Sequence, residues 1–165
     1  DGNKLHMQTL GALAHFDFNN PTAYSYEQAF RITRQVVNHA KADEQLFRRM
    51  AFNILAWNCD DHVKNIAYLM DRNGKWSLAP AYDECYAYNP EGDWTSQHQM
   101  SVNGKRIGIT DEDIIAAASF ANIREHKARA ILDEVKDAIC QWSNFATQAE
   151  VRGEFNTTIA KQLKI

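Results

Sequence analysis

Residues 57–70 read WNCDDHVKNIAYLM, and this stretch separates a predicted helix from a predicted β-hairpin. Before it, the apolar residues of EQLFRRMAFNILAWN (44–58) repeat at helical spacing, which predicts a helix that ends where the polar residues begin. After it, IAYLM (66–70) and KWSLA (75–79) are β-prone and flank DRNG (71–74), which favours a hairpin turn. The local order is therefore predicted to be helix, polar loop and hairpin.

Further helices are predicted on both sides of this centre. Ser25 and Gln28 form a capping box at the start of a helix with one apolar face. Thr110 caps another helix, whose first turn holds three acidic residues that complement the helix dipole. A long helix is predicted from about Arg124 to Gln148, and the tail 154–165 can form one more short helix. The apolar stripe of the long helix comprises Ala128, Ile131, Leu132, Val135, Ile139, Trp142 and Phe145.

Composition limits the class of protein. The 165 residues are 45% hydrophobic and 24% charged, which fits a single globular domain, residues 1–165. A formal net charge of -3 argues against a nucleic-acid footprint spread over the whole surface. No apolar run is long enough to span a bilayer and no signal segment is visible, so we expect no membrane contact. Three cysteines without a C-x-x-C pair favour a reducing, cytoplasmic compartment.

Spacing within the polar loop predicts phosphoryl-transfer chemistry. Asp60 and Asn65 show the D-x-x-x-x-N spacing of a protein kinase catalytic loop, in which the Asp accepts the proton of the acceptor hydroxyl and the Asn binds Mg²⁺. Asp83, in LAPAYDECY, follows the predicted hairpin, which can bring its carboxylate and the Asn65 amide to one metal ion. The Asp–Asn spacing alone is common by chance, whereas its combination with Asp83 is more specific. His62 and Lys64 either assist with phosphate charge or fix the loop.

Structural interpretations stand beside these functional ones. His62 taken alone favours a structural role, and Asp61 with His62 could be a solvated pair after a helix end. Cys59 is most simply a small buried residue. The chain also has no G-x-x-x-x-G-K-[ST] loop and no strand lysine of the kinase type. Because a kinase needs such groups to bind ATP, and because the chain begins with Asp1 rather than Met, we expect the nucleotide-binding lobe to lie N-terminal to residue 1.

Two motifs resemble one known family. NCDDHVKN (58–65) is similar to the N-x-D-x-H-x-K-N catalytic loop of the HipA family, the serine/threonine kinase toxins of bacterial toxin–antitoxin modules, and LAPAYD (78–83) is similar to its metal-binding segment. NKLHMQTLGALA (3–14) resembles the family's link out of the nucleotide lobe, and MSVNGKR (100–106) with the helices after it resembles the helical tail. The resemblance implies a mostly α fold with a small β-hairpin. By this resemblance, we expect the chain to be the C-terminal helical lobe of a protein-kinase-like α+β fold whose N-terminal lobe is absent here.

The resemblance also implies roles for residues. Asp60 is the catalytic aspartate, Asn65 and Asp83 bind Mg²⁺ beneath the phosphates of ATP, and His62 and Lys64 support the catalytic loop. The implied activity transfers the γ-phosphate of ATP to a serine of a protein target, with aminoacyl-tRNA synthetases as the target class. The implied partner is a helix-turn-helix antitoxin, through which DNA is contacted indirectly. We expect the isolated chain to be inactive.

Two other functions remain open. The first is a non-catalytic lobe that binds an antitoxin or another partner, although a binding lobe has no need for Asp60, Asn65 and Asp83 together. The second is a metal-dependent hydrolase built on Asp60, Asp61, His62 and Asp83, which requires two metal ions about 4 Å apart. Trp57 also departs from the family, because a small residue often precedes the loop asparagine there.

Overall fold

A computed structural model describes residues 4–20 and 22–163. Within these residues, the chain forms seven helices and one small antiparallel sheet in the strand order β1-β2-β3. The strands are β1 (His6–Thr9), β2 (Ala67–Met70) and β3 (Trp76–Leu78). The helices are α1 (Leu10–Ala14), α2 (Tyr26–Val37), α3 (Ala40–Leu55), α4 (Asp111–Ala117), α5 (Glu125–Cys140), α6 (Trp142–Gln148) and α7 (Gly153–Gln162). The predicted class, mostly α with a small hairpin, is confirmed.

The hairpin has the predicted position. β2 pairs with β3 in the register Tyr68 to Leu78, and the Asp71 carboxylate accepts hydrogen bonds from the backbone N–H groups of Asn73 (2.8 Å) and Lys75 (2.9 Å). β1 was not predicted. It pairs antiparallel with β2 across some 60 residues of chain, and such a long-range pairing leaves no signal in the local sequence.

The helices α2 and α4 begin at the capping residues that the sequence predicts. The predicted capping box of Ser25 with Gln28 on α2 and the predicted Thr110 cap of α4 are both confirmed, and Asp113 completes a capping box at Thr110 that was not predicted. The single long helix predicted over 124–148 is wrong. The chain leaves helical geometry at Gln141, where ψ is 4° instead of roughly −42°, and this break turns α6 away from the line of α5. Phe145 therefore leaves the predicted buried stripe and is 55% exposed.

The core lies along α3, which packs against α2 and α5, while α2 also packs against β3. Phe30, Phe47, Met50 and Ile131 are fully buried there. Burying each such side chain stabilises the fold by roughly 1.5–3 kcal/mol. In the described parts of the chain, no helix has the length and apolar character that a bilayer span requires. α3 thus runs through the centre of the molecule, and its C-terminal end delivers the polar loop, residues 58–65.

A buried carboxylate anchors this loop. Asp61 is 1% exposed and accepts hydrogen bonds from the Tyr26 hydroxyl on α2 (2.9 Å) and from the Gln99 backbone N–H (2.7 Å). Its Oδ2 lies 3.2 Å from Nδ1 of His98, which is equally buried. The interpretation of Asp61 as a solvated residue is therefore wrong, because three donors from two distant segments replace the lost water.

A chain of buried polar groups continues from this anchor. Burial, reinforced by the Asp61 charge, raises the pKa of Tyr26 well above its usual value, so its hydroxyl stays protonated. The Tyr26 oxygen accepts from the Asn53 amide (3.0 Å), and the Asn53 oxygen accepts from the Asn58 amide (3.0 Å). Asn58 also reaches the backbone oxygen of Asp83 at 3.4 Å. The polar loop and the segment after the hairpin are thus tied to the same interior network.

Removing the anchor should destabilise the chain strongly. Asp61→Ala is expected to lower the free energy of unfolding by roughly 3–5 kcal/mol, because it leaves buried donors without their acceptor. Urea unfolding followed by circular dichroism measures this difference. The control is Asp133→Ala at an exposed position of α5, which should change stability by less than about 0.5 kcal/mol. Equal effects of the two variants would contradict the anchoring role.

The α4 cap should make stability depend on acid pH. Lys105 at 2.8 Å, together with the Thr110 backbone N–H, lowers the pKa of Asp113 far below its usual value. The pKa of Asp113 is lower in the folded state than in the unfolded state. Its contribution to the free energy of unfolding is therefore complete above the unfolded pKa of about 3.9 and is lost as the pH falls below that value. Because the Lys105 side chain is 48% exposed, we expect only about 1 kcal/mol at neutral pH.

The test compares wild type with Asp113→Asn in urea unfolding between pH 3 and 7. The difference in unfolding free energy should be constant from pH 7 to about 5 and should shrink below about pH 4. A difference that persists undiminished at pH 3 would show that shape, rather than charge, carries the contribution of this cap.

Candidate functional site

The polar loop is fixed by the first helix as well as by the buried network. The backbone N–H groups of Leu10 and Gly11, at the start of α1, donate to the carbonyl oxygens of Ile66 (2.7 Å) and Val63 (3.0 Å). The approach is close enough that a Cβ on Gly11 would lie 3.1 Å from a methyl of Val63. A side chain here would require Val63 to shift by a few tenths of an ångström, whereas glycine lets α1 lie directly against the loop.

Trp57 makes the turn from α3 into the loop. Its φ is 56°, which is an unusual value for a bulky residue, and its ring packs against Tyr88 with centroids 4.1 Å apart. Its indole N–H donates to the backbone oxygen of Gln162 on α7. The large side chain at this position, a departure from the family pattern, is thus accommodated by contacts with the 88 region and with the tail.

Asn65 and Asp83 are brought together although they are 18 residues apart. Nδ2 of Asn65 donates to Oδ2 of Asp83 at 3.2 Å and to the backbone oxygen of Asp60 at 3.0 Å. These two bonds use both hydrogens of the amide. The carbonyl oxygen Oδ1 of Asn65 is then the atom that can ligate a cation beside the Asp83 carboxylate.

The Asp83 segment lacks regular secondary structure but is held at several points. The Tyr82 hydroxyl donates to the backbone oxygen of Lys64, and Asn58 donates to the backbone oxygen of Asp83. Asp83 has φ 58°, in the left-handed region that Asp tolerates better than most residues. Its side chain is exposed. The backbone therefore presents this carboxylate outward, next to the polar loop.

Asp60 and His62 lie beside each other in the loop. The Asp60 side chain is 41% exposed, and its Oδ1 is 3.8 Å from Nε2 of His62. Nδ1 of His62 accepts from the Lys64 backbone N–H at 3.3 Å, which places the proton of a neutral ring on Nε2, facing Asp60. The structure thus brings Asp60, His62, Lys64, Asn65 and Asp83 into one cluster; their roles remain predictions.

Phe18 is a member of the cluster that the sequence did not reveal. Its ring meets His62 edge-on with centroids 4.8 Å apart, and the Lys64 ammonium lies 3.5 Å from the ring centroid. The residue comes from the loop between α1 and α2, more than 40 positions away. No motif marks it, since FDFNN (16–20) carries only a turn signal.

Two further ionisable residues, Glu84 and Arg49, lie on the interior side of the cluster. Burial raises the pKa of Glu84 to about 6, although Arg49 opposes the shift, and burial lowers the pKa of Arg49. Arg49 donates to the Ala79 backbone oxygen at 2.5 Å, at the end of the hairpin. Glu84 and Arg49 line a cavity of about 10 Å³ that also touches Asn65, which leaves room for no more than one water molecule.

Larger clefts lie away from the cluster. One of about 620 Å³ opens between α3, α5 and residues 80–84. Its lining includes Arg49 and Glu84 but not Asp60, Asn65 or Asp83. The cavities that do touch the cluster, at His62 and Asn65, each have a volume of only about 10 Å³.

The oxygen atoms that the cluster offers to a metal ion help to distinguish between the candidate metals and reactions. The Asp83 carboxylate and the Asn65 amide oxygen are hard ligands of the kind that Mg²⁺ prefers. The hydrolase interpretation required Asp61, whose carboxylate instead points into the core. Moreover, residues 4–20 and 22–163 contain no group of three or more His, Cys, Asp or Glu side chains placed to hold a metal ion. The burial of Asp61 thus argues against the dinuclear hydrolase centre.

Comparisons with known proteins found a relative by sequence and a neighbour by structure. The chain is 33% identical over 66 residues to a Haemophilus influenzae (strain Rd) protein named "Putative kinase", a match that covers 39% of this chain and 19% of that protein. HipA from Shewanella oneidensis MR-1, solved with HipB and its operator DNA, superposes with a TM-score of 0.74 at 14% identity. That match covers 97% of this chain but 42% of the HipA chain, so this chain spans less than half of the length of HipA.

At 14% identity, the superposition establishes the fold alone. The family assignment rests on sequence: the model of the HipA-like C-terminal domain matches residues 1–143. This range includes the polar loop, the hairpin, Asp83 and the helices α1 to α5. The chain belongs to the HipA-like C-terminal domain family.

Proposed function

We propose that this chain is the catalytic C-terminal lobe of a serine/threonine protein kinase, which transfers the γ-phosphate of ATP to a serine of a protein target. One observation carries the proposal: the Asn65 amide joins the Asp83 carboxylate at 3.2 Å and the Asp60 backbone at 3.0 Å. Phosphoryl transfer depends mainly on positioning and on neutralising charge. A rigid cluster of one exposed carboxylate and two oxygen ligands meets this demand.

Each side chain has a distinct task in the proposal. Asp60 accepts the proton of the substrate hydroxyl, for which its partly exposed carboxylate is accessible. Oδ1 of Asn65 and the carboxylate of Asp83 hold Mg²⁺, which when bound neutralises phosphate oxygens. His62, with its proton on Nε2, orients Asp60, and Lys64 supplies a positive charge for phosphate oxygens. The buried network holds the side chains of Asn65 and Asp83 in position before Mg²⁺ or ATP binds.

The proposal extends to the rest of the protein and to its partners. The groups that bind ATP are proposed to lie in a nucleotide-binding lobe outside residues 1–165. The Shewanella HipA is assembled with HipB and operator DNA. By this likeness we propose a helix-turn-helix antitoxin as partner, DNA contact only through it, and a cytoplasmic location. The resemblance to the HipA family suggests an aminoacyl-tRNA synthetase as the protein substrate.

The role of Asp60 is tested in the full-length protein. Asp60→Asn should reduce transfer of radiolabelled phosphate from ATP to protein serine by roughly 10²–10⁴-fold, because the hydroxyl loses its proton acceptor. Circular dichroism should be unchanged, since the side chain is partly exposed and outside the buried network. Asp133→Asn, on the exposed face of α5, is the matched control and should retain full activity. Retained transfer in Asp60→Asn would refute the assignment.

The metal ligands are tested by magnesium dependence. Asp83→Ala should weaken binding of ATP in the presence of Mg²⁺ by roughly 10–100-fold, because it removes a charged oxygen from the metal site. Binding of ATP without Mg²⁺ should be nearly unaffected. Isothermal titration calorimetry at several Mg²⁺ concentrations measures both, with Asp93→Ala in an exposed loop as control. Equal losses with and without Mg²⁺ would mean that Asp83 does not act through a metal.

A further inference from the structure

The loop between α1 and α2 places an aromatic ring against two residues of the polar loop. Among the described residues of this loop, only Phe18 contacts both His62 and Lys64 through its ring. Its ring edge meets the imidazole at 4.8 Å between centroids, and its face carries the Lys64 ammonium at 3.5 Å. One side chain therefore touches two of the five residues in the candidate site.

The loop that carries Phe18 is built to hold it in place. Phe16 and Tyr24, on either side, stack with centroids 4.1 Å apart and rings 16° from parallel. The Asp17 backbone N–H donates to the Tyr24 hydroxyl at 2.5 Å, and the Asp17 carboxylate accepts from the Asn19 backbone N–H at 2.9 Å. Arg106 donates to the Tyr24 backbone oxygen at 3.1 Å. Phe18 thus extends from a braced turn rather than from a free loop.

The contact with Lys64 has consequences for the lysine head group. A lysine side chain is flexible and exposed, and holding its ammonium in one place costs conformational entropy that a ligand would otherwise have to supply. An aromatic face attracts the ammonium through its quadrupole. The ring covers one side of the ammonium only, so N–H donors on the opposite side stay available for an oxygen anion.

We propose that Phe18 is a positioning residue of the kinase site. It holds the Lys64 ammonium in place for phosphate oxygens and fixes the plane of the His62 ring beside Asp60. This inference rests on the proposed phosphoryl transfer and adds to it a residue outside the sequence motifs.

The first experiment detects the contact between Phe18 and Lys64 without measuring enzymatic activity. In the 165-residue chain, protons on the ε-carbon of Lys64 lie in the shielding region above the Phe18 ring, so their NMR signals should be shifted upfield. Phe18→Leu should move them back toward the usual lysine position. Phe120→Leu, the same change at an exposed phenylalanine after α4, should leave these signals at their upfield wild-type positions. Unchanged Lys64 signals in Phe18→Leu would overturn the inference, whatever the function of the protein.

The second experiment reads the consequence in the full-length protein. Phe18→Leu should lower kcat/KM for ATP by roughly two- to five-fold, the range of an exposed cation–π contact. Pentafluorophenylalanine at position 18 keeps the shape of the ring and reverses its quadrupole, so it should reproduce the loss without affecting folding. Phe18→Tyr should retain wild-type values. A fluorinated ring with wild-type kinetics would show that shape alone matters and would overturn the proposal.

A double-mutant cycle separates positioning from general packing. In a Lys64→Met background, Phe18→Leu should produce no further loss of affinity for ATP with Mg²⁺, because the ring then has no ammonium to hold. Additive losses would overturn the role assigned to the pair. If wild-type protein transfers no phosphate while the NMR shifts behave as expected, the proposed function fails and the contact itself stands.

Discussion

The structure depends on one electrostatic constraint: a carboxylate with no access to water must be satisfied by donors inside the protein. Asp61 is that carboxylate, and its donors come from α2 and from the segment at residues 98–99. An unpaired buried charge costs several kcal/mol, so alternative loop conformations that break these bonds are strongly disfavoured. The polar loop is therefore fixed by bonds on its interior side, and the side chains on its outer side take no part in these bonds.

This constraint explains why two adjacent aspartates have opposite environments. With Asp61 held in the core, the neighbouring Asp60 points outward and remains 41% exposed. The same network runs through Tyr26, Asn53 and Asn58 to the backbone of Asp83. The interior bonds thus set the relation between Asn65 and Asp83, which belong to different segments. Cooperative polar networks of this kind are costly when incomplete, and this favours a single arrangement of the site.

Features with local signals could be predicted from the sequence, and features with distant partners could not. The hairpin turn, the caps at Ser25 and Thr110 and the Asp60–Asn65 spacing each depend on residues within a few positions of one another. The strand β1, the buried state of Asp61 and the contact of Phe18 with Lys64 depend on partners 35 or more residues away. The break at Gln141 also escaped prediction, because apolar periodicity continues through it although the helix does not.

The placement of Asp83 shows how a segment without helix or strand can still be rigid. A left-handed residue in an irregular stretch costs conformational energy, which persists only where surrounding contacts determine the backbone. Here the neighbouring Tyr82 binds the backbone of Lys64, Asn58 binds the backbone of Asp83, and Asn65 binds its carboxylate. All three partners belong to the polar loop, so the loop and the Asp83 segment form one unit. Because Asp61 anchors that unit from the interior, a displacement of Asn65 or Asp83 would require breaking bonds in the core.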